Sequence, residues 1–200
     1  MDTLKSITGW QKVFLDTSVI LRLLHSMRSD CTDSACLFVK RLVKQLVDSD
    51  ALFFISSISE SEIIQRYELK EDKKFKVLNA IGSNDTTFVS FDSEIAYHLT
   101  QEYYQLLNKQ SVLNIANDAG LDNTHYDIVR EHVTRDLMII ATSDFYDCDV
   151  ILTCDKKTMY RQANDLNLPC AVVFPEYFEH TNAGIFQYLQ SDLDKELGLI

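Results

Sequence analysis

The chain has 200 residues, 46% hydrophobic and 24% charged, which suits one folded domain and excludes a disordered or fibrous polymer. A formal net charge of −11 excludes a protein that coats nucleic acid by general attraction, so any nucleic acid must meet a local basic patch. No apolar run approaches the roughly 18 residues of a membrane span, and the start MDTLKSITGWQK lacks the basic and apolar regions of a secretory signal. The expected compartment is therefore the cytoplasm, with no membrane partner.

Residues 12 to 15 (KVFL) read as a short buried strand, followed by a helix over 17 to 27 with Val19, Ile20, Leu23, Leu24 and Met27 on one stripe. Thr32 or Asp33 can cap a second helix that keeps its apolar spacing to about residue 49. LFFISS at 52 to 57 is a continuous apolar run of strand length. A helix from Ser59 to Tyr67 follows, then a charged helix from about Lys70 to Ile81 and a turn at Gly82 to Asp85.

TTFVSF at 86 to 91 is the next strand, and a helix is predicted from Ser93 to Asn108. Residues 110 to 124 carry no clear pattern, while 126 to 143 are helical, 148 to 153 a strand, 156 to 166 a helix and 171 to 174 a last strand. An amphipathic helix over about 183 to 197, with Ile185, Phe186, Leu189, Leu193 and Leu197, is expected to close the chain. Alternation of this kind predicts the α/β class: a parallel sheet covered by helices on both faces, in one domain over residues 1 to 200.

Five cysteines (Cys31, Cys36, Cys148, Cys154, Cys170) form an odd set without CxxC spacing, which predicts reduced, mostly buried thiols rather than disulfides or a zinc site. Candidate basic patches are Lys40, Arg41 and Lys44; Lys70, Lys73, Lys74 and Lys76; and Lys156, Lys157 and Arg161. The first two groups read as solvated helix faces, and the third adjoins an acid of interest.

That acid belongs to a set of four: Asp16 in VFLDTSVI, Glu62 in SSISESEI, Asp136 in RDLMIIAT and Asp155 in VILTCDKKT, separated by 46, 74 and 19 residues. In a parallel α/β sheet the functional crevice lies beyond the carboxyl ends of the strands, and Asp16, Glu62 and Asp155 all fall just past a predicted strand. Each has an innocent alternative: Asp16 and Asp155 can cap helices, Ser59 with Glu62 fits a capping box, and Asp136 can be a solvated helix acid.

Gathered in one crevice, neighbouring carboxylates about 5 Å apart would repel by roughly 3 kcal/mol per pair at an effective dielectric of about 20. Such a cluster calls for a cation or shared protons, and an oxygen-only donor set suits Mg²⁺ or Mn²⁺. Ions of this kind support water attack on a phosphodiester without a protein nucleophile.

At these residues the chain resembles the PIN-domain nucleases, and is most similar to the VapC-type toxin ribonucleases. The hydrophobic-Asp-Thr-Ser opening at 13 to 18, SSISESEI, DLMIIATS from Asp136, LTCD ending at Asp155, and PCAVVFPEYF at 169 to 178 carry the resemblance. It implies an α/β/α sandwich with a core at about 11 to 178, and Mg²⁺ or Mn²⁺ held by Asp16, Glu62, Asp136 and Asp155. The implied activity is endoribonuclease cleavage of RNA, as the toxin of a toxin-antitoxin pair or in RNA processing. It also implies small hydroxyl residues beside the acids, here Thr17, Ser18 and Thr153. It admits an antitoxin or other protein partner and a homodimer. The chain departs from a compact toxin in its longer helical region at about 92 to 135 and in its extra C-terminal helix.

Two further readings stay open: a catalytically silent PIN-like binding module, and a structure-specific DNA nuclease. A haloacid-dehalogenase-like phosphatase would need a second Asp at position 18, which is Ser. No G-x-S-x-G elbow or P-loop is present. His132 and Asp136 stand i,i+4 as an isolated pair of metal-ligand type.

Overall fold

The computed structural model describes residues 5 to 6, 9 to 67, 81, 85 to 104, 108 to 118, 126 to 173, 178 to 180 and 186 to 188. Within them, β1 is Lys5–Ser6, β2 Lys12–Leu15, β3 Leu52–Ser56, β4 Thr86–Val89, β5 Val150–Thr153, β6 Cys170–Val172, β7 Phe178–His180 and β8 Phe186–Tyr188. The helices are α1 Thr17–Ser26, α2 Ser34–Asp48, α3 Ser57–Tyr67, α4 Ser93–Glu102, α5 Lys109–Asp118, α6 Tyr126–Phe145 and α7 Met159–Asp165.

The central sheet has five strands in the order β4-β3-β2-β5-β6, all parallel. Its central strands β2 and β5 are short apolar runs with buried side chains, as a sheet covered on both faces requires: Val13, Phe14 and Leu15 are fully buried, and so is Leu152. Register sets Val13 between Phe53 and Val150, Phe14 between Phe54 and Ile151, and Leu15 beside Leu152. The sheet, flanked by helices, places the chain in the α/β class. The five strands stand where the apolar runs predict them, with ends shifted by up to two residues.

On the helices, α1 buries Val19, Ile20 and Leu23 while α2 buries Val39, Leu42, Val43 and Leu46, and the two pack against each other. A second group centres on α6, which packs against α4, α5 and α7. Helix α3 touches both α1 and α6, so it sits where the two groups meet. No described helix is long and apolar enough to cross a membrane.

Three expectations change. The helix from Ser93 ends at Glu102, capped by Tyr103, whose hydroxyl donates 2.6 Å to Asp144 Oδ2; His98 Nε2 meets the same oxygen at 2.7 Å. The patternless stretch after residue 108 contains α5. The predicted C-terminal helix is corrected at Phe186–Tyr188, which is β8: it pairs antiparallel with β1 and β7 in a small separate sheet. Phe186, a member of the stripe read at helical spacing, also alternates with Tyr188 at strand spacing, and cross-strand partners decide between the two. The rest of that predicted helix, the charged helix before Ile81 and residues 82 to 84 of the turn after it lie outside the described residues.

Phe14 is 0% exposed at the centre of the sheet, whereas Tyr97 is 68% exposed. Phe14→Ala is expected to lower unfolding free energy by about 3 to 5 kcal/mol in urea titration. Tyr97→Ala should change it by no more than about 0.5 kcal/mol.

Candidate functional site

Parallel pairing of β2 with β5 brings two of the acids out side by side. The Asp16 backbone N–H donates 3.0 Å to the Leu152 carbonyl, closing the ladder just as β2 ends. Asp16 then takes an extended backbone conformation and caps α1, its Oδ2 accepting from Ser18 N at 3.4 Å. The same oxygen accepts the Ser18 hydroxyl at 2.5 Å and the Thr153 hydroxyl at 2.8 Å.

Each of these hydroxyls also accepts a backbone N–H from the far strand end: Ser18 Oγ from Cys154 at 2.9 Å, and Thr153 Oγ1 from Asp155 at 2.9 Å. Asp155 turns the chain toward α7. Its Oδ1 accepts from Lys157 N at 2.9 Å and Thr158 N at 3.0 Å, and its Oδ2 accepts the Thr158 hydroxyl.

Glu62 comes from α3 and Asp136 from α6. Glu62 Oε2 accepts the Thr17 hydroxyl at 2.6 Å, and its Oε1 lies 3.7 Å from an Arg135 guanidinium nitrogen. Asp136 Oδ2 accepts from Gln162 Nε2 at 3.0 Å. All four acids line one cleft of about 450 Å³, together with Thr17, Ser18, His132 and Arg135. The structure thus brings together every acid singled out in the sequence, and Thr17, Ser18 and Thr153 each donate to one of them.

The capping-box alternative for Ser59 and Glu62 is corrected. Helix α3 starts two residues before Ser59, with Ser56 Oγ accepting from Ile58 N at 3.1 Å. Ser59 therefore sits inside the helix with its hydroxyl buried and unpartnered, and Glu62 is released to reach Thr17. The cap reading of Asp16 holds geometrically and coexists with the cleft, because one carboxylate oxygen can bond the helix start while the group still faces the cavity. The cap reading of Asp155 is corrected: α7 starts at Met159 with Thr158 as its N-cap, and Asp155 Oδ1 instead bonds the backbone N–H groups of Lys157 and Thr158 in the turn that precedes the helix.

Crowding is visible in the proton affinities. Burial raises the Asp16 carboxyl above its ordinary value; the hydroxyls of Ser18 and Thr153 oppose this, and the Asp155 charge adds to it. Asp136 is raised well above its ordinary value, first by burial and next by the charge of Asp16. Thr158 opposes that rise, while Asp155 and Glu62 add to it. Asp136 thus feels all three of the other acids.

Sequence reasoning missed Arg135, Gln162 and Thr158. Arg135, adjacent in sequence to Asp136, stands beside Glu62 and also bonds Glu131 one turn back. Gln162 is 1% exposed on the stripe of α7 that buries Met159, Tyr160 and Ala163, and a polar residue interrupting an apolar stripe was the available signal. Lys156 and Lys157 are exposed next to Asp155, and the Lys70 to Lys76 group lies outside the described residues.

No match to the chain was found among protein-family models or among curated proteins. Among solved structures it is similar to a chain in the crystal structure of VapBC2 from Rickettsia felis bound to a DNA fragment from their promoter. That alignment covers 81% of this chain and 98% of the other, at 13% identity and a TM-score of 0.49.

A carboxyl whose native affinity for protons exceeds its unfolded one favours the native state at low pH, and that contribution is lost as pH rises through the native pKa. Asp136→Asn removes the effect. In chelator, the stability of this variant relative to wild type is expected to increase as pH rises from about 4 to about 7, read from urea midpoints. A difference that stays flat across the window would contradict the charge crowding.

Proposed function

We propose that the chain is a metal-dependent nuclease of the PIN type that hydrolyses RNA. The observation that carries this reading is the convergence of Asp16, Glu62, Asp136 and Asp155 on one cleft, with Asp136 raised by burial first and then by the charges of all three neighbours. The donor set fits a hard cation. Asp16 accepts from Ser18 and Thr153, and Asp136 from Gln162, all of them neutral donors that orient carboxylate oxygens without cancelling their charge.

Asp16, Glu62, Asp136 and Asp155 would hold Mg²⁺ or Mn²⁺, which supplies Lewis acidity toward the phosphodiester and lowers the pKa of water. The chain's own groups do the rest. Thr17, Ser18 and Thr153 fix the orientation of the acids, and Arg135, one-third exposed at the cleft, offers a planar guanidinium to a phosphate oxygen. One carboxylate accepts the proton of the attacking water. The same reading takes residues 1 to 200 as one domain, with RNA as substrate and an antitoxin-type protein as partner.

The reading is tested by incubating single-stranded and structured RNA and DNA with Mg²⁺, Mn²⁺ or chelator. RNA cleavage is expected only with metal. Asp16→Asn and Asp155→Asn should each lower the rate by at least about a hundredfold, and Thr153→Val by about ten- to a hundredfold, following the usual effect of losing an orienting partner. Cleavage that survives both carboxylate substitutions would overturn the site. DNA cleavage alone would reassign the substrate, and inactivity on all four substrates would leave a binding module.

A further inference from the structure

A second cluster of metal-ligand side chains lies at the other end of α1. His25 is in the last turn of that helix, Cys31 in the connection that follows, and Cys36 in the first turn of α2. One ligand atom from each lies within 4.8 Å of the ligand atoms of the other two. We propose that His25, Cys31 and Cys36 form a separate transition-metal site that takes Zn²⁺ through one imidazole nitrogen and two thiolates. The proposal does not rest on the nuclease reading.

The geometry is close to what the ion requires. Tetrahedral zinc with sulfur at about 2.3 Å and nitrogen at about 2.0 Å holds its ligand atoms roughly 3.5 to 3.8 Å apart. Closing the remaining gap of about an ångström is within reach of side-chain rotation. The backbone beneath is already fixed. Asp33 caps α2 by accepting from Ala35 N at 2.8 Å and Cys36 N at 3.1 Å, and α2 packs along α1.

Three protein ligands leave a fourth position. A cavity of about 420 Å³, lined by Arg22, His25, Asp33, Cys36 and Cys154, lies beside the cluster and has room for water or a small exogenous ligand there. The chemistry also separates this site from the carboxylate cleft. Thiolate and imidazole select zinc, whereas carboxylates select magnesium or manganese, so one chain can sort two ions by donor softness. Bound zinc would tie the end of α1 to the start of α2.

Two thiols this close could instead oxidise to a disulfide, and the experiment separates the outcomes. The full-length protein is reduced, stripped with chelator, and titrated with Co²⁺ as a spectroscopic probe in the presence of excess Mg²⁺. A thiolate-to-cobalt charge-transfer band saturating at one equivalent, and displaced by Zn²⁺, is expected. Cys31→Ser and Cys36→Ser should abolish or halve the band. Because Cys36 is buried and its substitution can disturb folding, His25→Ala provides a second variant, expected to weaken Co²⁺ binding at least about tenfold. Asp16→Asn should leave the band intact.

Absence of the band in the wild type, or its persistence in both cysteine variants, would overturn the proposal. So would protein isolated without reductant that holds no zinc and is lighter by two hydrogens, with Cys31 and Cys36 joined.

Discussion

The register of one parallel strand pair governs this molecule. With Leu15 set beside Leu152, the chain leaves β2 at Asp16 and leaves β5 at Cys154 and Asp155 on the same edge. The strand order β4-β3-β2-β5-β6 means that connections run one way from β2 and the other way from β5. The helices that follow these two strands diverge, and the crevice opens at this reversal. A slip of one residue in that pairing would turn every side chain of β2 to the opposite face and carry Asp16 out of the cleft.

Collecting acids there opposes folding, and the surrounding structure makes it tolerable. The buried apolar side chains of the central strands, with Phe14, Phe53 and Ile55 among the largest, supply the stability that charge crowding lowers. The hydroxyls of Ser18 and Thr153 then stitch the start of α1 to the end of β5 while bonding Asp16. Neutral donors are consequential here. A lysine or arginine bonded to Asp16 would cancel the charge, whereas a hydroxyl orients it and leaves it available to a cation. The guanidinium in the cleft is placed beside Glu62, the acid on the connecting helix.

Much of this is legible in the sequence, for a physical reason. Buried parallel strands are short, continuous apolar runs, and the first polar residue after such a run marks the carboxyl edge of the sheet; Asp16 and the Thr153 to Asp155 step are visible in that way. Glu62 is marked in the sequence by its place a few residues past a strand end. Its competing explanation was equally well formed, since Ser59 and Glu62 have capping-box spacing, and only the start of α3 at Ser57 decides against it. Gln162 could not be assigned because its partner, Asp136, lies on a different helix 26 residues away. Phe186 has apolar neighbours at helical spacing, in Leu189 and Leu193, and at strand spacing, in Tyr188, and the partner strands that select between the two periods are remote in sequence. His25, Cys31 and Cys36 lack the paired spacing that announces a zinc site, and their approach depends on how sharply the chain turns between α1 and α2.

Helix α1 joins the two regions. Asp16 stands at its N-terminal end, where the helix dipole favours an anion, and His25 lies in its last turn, where the dipole favours a cation. At ten residues the helix is about 15 Å long, too short to flex and packed along α2. Ser18 and Leu21 line both cavities. Ser18 in particular donates to Asp16 while accepting from Cys154 N, and Cys154 borders the second cavity. A shift of α1 along its axis would therefore move the Asp16 carboxylate and the His25 imidazole together, so whatever holds the α1–α2 corner also holds one wall of the acidic cleft.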